Sequence, residues 1–188
     1  MHGFYNNGNT CFFNVAIHCI LSINELTEYI LKNVYTGSCE FTKVYTDLVH
    51  IYFSKKRGTI NIDFLLQHFR SKFPRFKSNQ PHDAQDALFC IIDLIEKELP
   101  ILKNIVYGKR IQYTVCPSGT KTSEEPFSFL ILNNSNARYT VSDMITHSER
   151  WDVLGDYQDE SGVTHNVTTT RSAISEYPKI LFVSFDKK

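Results

Sequence analysis

The chain has 188 residues, which suits one domain with its own core. Its 20 basic and 20 acidic side chains cancel, so no charged arm for nucleic acid is expected. No apolar run approaches the ~20 residues of a membrane span, and no signal peptide precedes Gly3. The five cysteines are scattered and odd in number, which argues against a disulfide framework and predicts a reducing compartment, the cytoplasm or nucleus.

Residues 3–22 combine a polar loop with a predicted amphipathic helix. From Cys11 onward apolar side chains recur at helical spacing, so a helix is expected to begin there, with Asn9 or Thr10 as its cap. Unsatisfied backbone N–H groups in a first helical turn carry partial positive charge, which favours a nucleophilic thiolate. The loop also lets the Asn6 amide approach an oxyanion beside the sulfur. A cysteine on an apolar helix is more often a core residue, so that interpretation of Cys11 stays open.

Four further helices are predicted as far as residue 100. Apolar stripes at helical spacing predict three of them, over 24–32, 40–54 and 61–72. The fourth covers 80–100, where Pro81 suits the first helical position and Asp83 and Asp86 complement the helix dipole. From composition alone, this last segment is a well-capped core helix.

Beyond residue 100 the apolar period changes from helical to alternating. Residues 110–116 and 125–132 flank the turn residues 117–119 and are predicted to form antiparallel strands. A short helix, an acidic turn-rich segment and another strand are expected next, over 141–146, 152–163 and 166–171. The run from Ile180 to Phe185 is rich in strand-forming residues and predicts a central strand.

The first motif, residues 3–21, reads GFYNNGNTCFFNVAIHCIL. It resembles the cysteine box of the ubiquitin-specific protease family, Gly-Leu-x-Asn-x-Gly-Asn-Thr-Cys-Tyr-Met-Asn-Ser-x-x-Gln. The positions in register are Gly3, Asn6, Gly8 to Cys11 and Asn14. The resemblance implies that Cys11 is the nucleophile and Asn6 the oxyanion-hole amide. His18 stands where the family usually has glutamine.

The second motif, residues 80–100, reads QPHDAQDALFCIIDLIEKELP. It resembles the family's second box, Gln-Gln-Asp-Ala-His/Gln-Glu-Phe-Leu followed by Leu-Leu-Asp. The resemblance implies that Asp83 holds the arginine-bearing tail of the substrate through charge-assisted hydrogen bonds, with His82 and Gln85 beside it. Pro81 and His82 replace the two glutamines.

The resemblance also implies an architecture. A single α+β catalytic domain of papain-like fold is expected over 1–188, with a helical thumb at 1–100, antiparallel β fingers at 101–176 and the first palm strand at 177–188. The C-terminal part of the palm is then missing. Many family members hold a structural zinc in the fingers through two Cys-x-x-Cys pairs. Here only Cys116 is present, with His147 and His165 distant in sequence, so neither a metal nor another cofactor is expected.

The implied reaction is thiol-dependent hydrolysis of the peptide or isopeptide bond after the C-terminal glycine of ubiquitin. The implied partner is ubiquitin or a ubiquitinated protein, cradled by the fingers and the acidic segment 156–160, and the chain is expected to be a monomer. Neither nucleic acid nor a membrane is expected as a partner.

The general base is the open question. This chemistry needs a histidine, which in the family lies in a Gly-His-Tyr motif downstream of a Leu-x-Arg-Phe segment that YPKILFVSFDK resembles. None of the seven histidines lies in such a motif, and His82 is the nearest alternative. Three hypotheses therefore stay open: part of a longer deubiquitinase, an inactive relative that binds ubiquitin, and a papain-like peptidase of other specificity.

Overall fold

The computed structural model describes residues 2–54, 58–133 and 138–186. The last two residues of the predicted palm strand, 187–188, lie outside that part. By its internal contacts the chain divides into two compact units, Met1–Lys103 and Asn104–Lys188. No helix in the described ranges is long and apolar enough to cross a membrane.

The first unit is mainly helical. Its first strand and helices, in chain order, are β1 Gly3–Phe4, α1 Cys11–Leu21, α2 Asn24–Lys32 and α3 Glu40–Tyr52. They are followed by β2 Thr59–Ile60, α4 Asp63–Lys72, a 3-10 turn at Pro74–Phe76, α5 Ala84–Glu98 and the short α6 Ile101–Val106, which ends in the second unit. The strands β1 and β2 pair in parallel.

An aromatic core holds these helices together. The Phe69 ring of α4 lies 5.1 Å from that of Phe13 on α1 and 4.9 Å from that of Phe76. Phe41 on α3 closes the cluster at 6.2 Å from Phe69. Because α1 packs mainly against α5 and buries one face, its opposite face, which bears Cys11, stays exposed.

The start of α5 differs from the prediction. Pro81 is not a helical residue, because the helix begins at Ala84. Asp83 is the N-cap, and its Oδ1 accepts a hydrogen bond of 2.7 Å from the backbone N–H of Gln85. The Asp83 carboxylate accepts from a backbone N–H group that would otherwise be unsatisfied at the helix start. Pro81 has no side-chain acceptor and cannot do this.

The second unit is mainly β structure. Its elements after α6 are β3 Gly108–Cys116, β4 Gly119–Phe127, β5 Phe129–Asn133, α7 Val141–Ser148, β6 Asp152–Leu154, β7 Tyr157–Gln158, β8 Thr164–His165, β9 Thr168–Glu176 and β10 Phe182–Asp186. Four of them form an antiparallel sheet in the order β4-β3-β9-β6. The short strands β7 and β8 form a separate hairpin.

The predicted strand over 125–132 is in fact parts of two strands. The chain leaves β4 after Phe127, passes through the buried Ser128 and continues as β5, which pairs in parallel with β10. Alternation continues across the break, so the residue pattern cannot show that the partner strand changes. The predicted strand over 166–171 extends to Glu176, because β3 supplies a pairing partner along that length.

Candidate active site

Cys11 is the first residue of α1, and its side chain is exposed. The helix begins where the sequence predicts, with Thr10 as the cap residue. The Thr10 carbonyl accepts hydrogen bonds from the backbone N–H groups of Phe13 and Asn14, at 3.1 and 3.0 Å. The Thr10 side chain does not cap the helix, so it is free to bond elsewhere. A thiol at this position is accessible to a substrate.

Thr10 instead holds the side chain of Asn6. The Asn6 Oδ1 accepts from the backbone N–H of Thr10 at 3.2 Å and from its hydroxyl at 3.0 Å. A backbone N–H can only donate, so the atom facing it must be the amide oxygen and not the nitrogen. Within the described part of the chain, the Asn6 Nδ2 has no hydrogen-bond acceptor. The side chain is therefore fixed with its donor end unused.

Asparagine side chains tie the rest of the loop to its neighbours. Asn7 donates to the Asp63 carboxylate at 2.6 Å, where α4 begins. Asn9 donates to the Asn79 carbonyl at 2.7 Å. Asn9 and the preceding Gly8 both have positive φ, at 50° and 87°, a conformation that asparagine and glycine tolerate best. The loop before Cys11 is thus attached to both α4 and the segment before α5.

The second motif lies beside the first. The His82 ring packs edge-on against Phe12, with centroids 5.0 Å apart, and Phe12 directly follows Cys11. The His82 Nε2 lies 3.1 Å from the Ser78 hydroxyl. Asp83 caps α5, and Gln85 is half-buried in its first turn. In the ranges that the structure covers, no side chain or backbone group hydrogen-bonds the Cys11 Sγ. The second motif, although it lies beside the first, therefore does not place a base on the thiol.

His18 occupies an aromatic cluster that sequence reasoning missed. Its ring stacks on Phe4 at 4.3 Å and meets Tyr52 edge-on at 5.9 Å, and His2 lies 5.5 Å from Tyr52. Burial lowers the pKa of His18. The aromatic residues His2 and Phe4, at the beginning of the cysteine-box segment, were the available signal. We interpret His18 as a packing residue that attaches β1 to α1 and α3.

The family model described as ubiquitin carboxyl-terminal hydrolase matches residues 2–188 of the chain. The chain belongs to this family. Among curated hydrolases, ubiquitin carboxyl-terminal hydrolase 4 of Rattus norvegicus is 28% identical over 115 residues, covering 56% of this chain and 12% of that protein. Ubiquitin carboxyl-terminal hydrolase 1 of Arabidopsis thaliana is 32% identical over 96 residues, covering 50% and 9%. Only about a tenth of each of these hydrolases is matched.

Two solved structures share this fold. A chain of the SAGA Ubp8/Sgf11/Sus1/Sgf73 DUB module bound to ubiquitin aldehyde superimposes with a TM-score of 0.79 and 17% identity. The match covers 99% of this chain and 47% of that one. A second structure of the module, bound to monoubiquitin, matches with a TM-score of 0.77 and 16% identity over 48% of its chain. The predicted α+β fold, with helical thumb, β fingers and partial palm, is confirmed, and the chain spans about half the length of these solved relatives.

Proposed function

We propose that the chain carries the nucleophile of a cysteine-type deubiquitinase, which hydrolyses the peptide or isopeptide bond after the C-terminal glycine of ubiquitin. The observation that supports this most directly is the local geometry of the cysteine box. An exposed thiol begins a helix, and the Asn6 amide is held by its oxygen so that its N–H₂ group is free. Family membership and the ubiquitin-bound relatives add support.

In this proposal the Cys11 sulfur attacks the carbonyl carbon of the terminal glycine. A carbon–sulfur bond forms, and the carbonyl electron pair moves to the oxygen, where the Asn6 Nδ2 donates to the developing oxyanion. When the intermediate collapses, the carbon–nitrogen bond breaks and the amine leaves with a proton. Water then hydrolyses the thioester, which releases the ubiquitin carboxylate and regenerates the thiol. A general base must move the protons in both steps.

Substrate binding is assigned to Asp83, His82 and Gln85. The Oδ1 of Asp83 caps α5, while its Oδ2 has no partner in the part of the chain that is described. That oxygen is available to accept from an arginine in the ubiquitin tail. The contact between His82 and Phe12 supports the proximity of this group to Cys11.

In the fingers, the acidic segment 156–160 has fewer carboxylates available to bind ubiquitin than its composition suggests. Asp159 accepts from Ser118 and His165, and Glu160 pairs with Lys121. Asp156 is the remaining carboxylate of this segment, and it has no partner among the residues described. We therefore expect any contact of this loop with ubiquitin to use Asp156.

Ubiquitin with a C-terminal electrophile tests the nucleophile. We expect the purified chain to form a covalent adduct, visible as a mass increase, and Cys11→Ala to abolish it. Cys19→Ala is the matched control, because Cys19 lies on the same helix but is partly buried. Labelling that survives Cys11→Ala, or that is lost in Cys19→Ala instead, contradicts the assignment of Cys11.

A second candidate function is ubiquitin binding without catalysis. It is favoured by one observation: in the described ranges, Cys11 Sγ has no hydrogen-bond partner that serves as a base. Calorimetric titration with unmodified ubiquitin separates the two functions. Binding without any adduct from the electrophilic probe supports the binding module, and adduct formation that depends on Cys11 supports the enzyme.

We further propose the division into thumb at 1–100, fingers at 101–176 and palm strand at 177–188, in one monomeric chain. The boundary between the two compact units, at Lys103 and Asn104, supports the first division. All five cysteines are free, which supports a reducing compartment such as the cytoplasm or nucleus. Light scattering, which measures the molar mass of the purified chain in solution, tests whether it is a monomer.

A further inference from the structure

The sequence resemblance places a structural zinc in the fingers of many family members, but the residues at this end of the fingers do not fit a metal. The turn Cys116 to Gly119, between β3 and β4, has one thiol, and the β7–β8 hairpin adds Asp159 and His165. A structural zinc needs four ligands directed at one point. Here the Ser118 hydroxyl occupies the space between the potential metal ligands. It lies 3.0 Å from Cys116 Sγ, 3.2 Å from Asp159 Oδ2 and 3.3 Å from His165 Nε2. No three His, Cys, Asp or Glu side chains of the described chain are arranged to hold a metal ion.

We propose that a metal-independent hydrogen-bonded clasp, formed by Ser118, Asp159 and His165, joins the two hairpins at this end of the fingers. Ser118 comes from the β3–β4 turn, and the other two residues come from the β7–β8 hairpin. Asp159 and His165 bond each other directly at 2.8 Å. The clasp thus connects segments that are distant in sequence, since Ser118 and Asp159 are 41 positions apart.

Asp159 organises the hairpin as well as the clasp. Its Oδ1 accepts from the backbone N–H groups of Ser161 at 2.9 Å and Val163 at 3.0 Å, while its Oδ2 faces Ser118 and His165. The side chains of Asp159 and His165 are only 14% and 10% exposed, so water competes weakly for the bond between them, whereas Ser118 is exposed. The hydrogen bond from His165 and that from the Val163 amide lower the pKa of Asp159 to about 2. The carboxylate is therefore ionised throughout the neutral range.

The geometry identifies a structural role and excludes a catalytic one. In a serine–histidine–aspartate triad, the serine and the aspartate use different ring nitrogens of the histidine. Here both Ser118 and Asp159 contact the same nitrogen, His165 Nε2. A ring nitrogen that donates its hydrogen to Asp159 cannot also accept the serine proton, so His165 does not activate Ser118 as a nucleophile.

The neighbouring ion pair is not the main connection. Lys121 on β4 pairs with Glu160 on the β7–β8 loop, but their side chains are 57% and 79% exposed. Exposed ion pairs of this kind contribute little to stability. The clasp, whose Asp159–His165 pair is largely shielded from water, is thus the stronger candidate for joining the hairpins.

Hydrogen exchange of the full chain tests the clasp. Ser118→Ala removes the bridging hydroxyl and leaves the Asp159 turn intact. We expect roughly tenfold faster exchange of the amides of Asp159 and Val163, as the loss of about one net hydrogen bond predicts. Ser123→Ala, an exposed serine on the same strand pair, is the matched control and is expected to change nothing.

Two further measurements separate the alternatives. Glu160→Gln is expected to leave the exchange rates unchanged, and a rise in this variant but not in Ser118→Ala would assign the connection to the ion pair and overturn the proposal. Treatment with EDTA is expected to leave the protection pattern of the native chain unchanged. Purification of the chain with one equivalent of zinc, and loss of protection when the zinc is removed, would also overturn it.

Discussion

Asn6 offers a sharp test of the candidate site, because its two ends have separable roles. Its oxygen accepts two hydrogen bonds from Thr10, which is only 5% exposed. Its nitrogen is the proposed oxyanion donor. Asn6→Ala removes both ends, whereas Asn6→Asp keeps an oxygen facing Thr10 and removes the donor. We therefore expect the two variants to differ in stability, whereas both lack the proposed oxyanion donor.

The expected magnitudes follow from these contacts. In Asn6→Ala the N–H and O–H of Thr10 lose their partner, and an unsatisfied buried group costs about 1–3 kcal/mol. Asn6 itself is exposed, so water can reach the gap. We therefore expect the free energy of unfolding to fall by about 1.5 kcal/mol, in the lower half of that range. Asn6→Asp retains both bonds, and its charge lies near a helix N-terminus, so its stability is expected to stay within about 0.5 kcal/mol of the native value.

The contribution of the Asn6 Nδ2 donor is measured as the affinity for ubiquitin aldehyde. The adduct of this aldehyde with a thiol places an oxygen where the oxyanion would form. A hydrogen bond to a charged oxygen contributes about 1.5–3 kcal/mol. Asn6→Asp is thus expected to weaken aldehyde binding by roughly 10- to 150-fold. Labelling by a vinyl-type electrophile forms no oxyanion and serves as the internal control, because it should persist. Urea unfolding supplies the stability of each variant.

Two results would refute this reasoning. If Asn6→Asp binds the aldehyde as tightly as the native chain, the Asn6 nitrogen does not stabilise the adduct. If Asn6→Asp is destabilised as much as Asn6→Ala, the bonds from Thr10 do not depend on an oxygen at this position.

Three further predictions concern the first unit. Phe69→Ala removes the ring at the centre of the aromatic core and is expected to lower the free energy of unfolding by about 3–5 kcal/mol in urea. The pKa of His18 is lowered by burial, so its stabilising contribution is complete above its usual value of 6.5 and declines as the pH falls below it. His18→Gln is therefore expected to reduce the loss of melting temperature between pH 7.5 and 5.5. Burial and the 2.5 Å bond to Glu98 raise the pKa of Tyr35 to about 12, and Glu98→Gln is expected to move it towards 10, as measured by ¹³C NMR of the tyrosine ring.

Each of these predictions has a control in the same unit. Phe64→Ala, on the same helix but 60% exposed, should cost less than about 1 kcal/mol, and an equal cost for Phe69→Ala would contradict the core assignment. His50→Gln, at an exposed position, should leave the acid sensitivity unchanged. A Tyr35 pKa that stays near 12 in Glu98→Gln would show that burial alone holds it there.

Local chemistry made much of the fold predictable. The start of α1 at Cys11 and the full extent of α2 were predicted correctly, because helical hydrogen bonding and the apolar period both act within a few residues. The turn between β3 and β4 was predicted for the same reason, since proline, serine and glycine favour it locally. The cysteine-box resemblance identified the family, which the family match confirms.

Apart from the start of α5, which the Asp83 cap sets locally, the errors share one cause: they depend on partners distant in the chain. Nothing between residues 125 and 132 indicates that β4 and β5 pair with different strands. His18 looks like a polar residue on a helix until the fold brings Phe4 and Tyr52 to its ring. His165, considered as a distant metal ligand, faces Ser118 and Asp159 instead.

By itself, the sequence determined the helices, the turns and the position of one cysteine at the start of a helix, because hydrogen bonding and apolar spacing act over a few residues. The tertiary structure decided which strands pair and what His18 and His165 contact. Those outcomes depend on side chains that meet only after the chain has closed long loops, and no local pattern specifies such meetings.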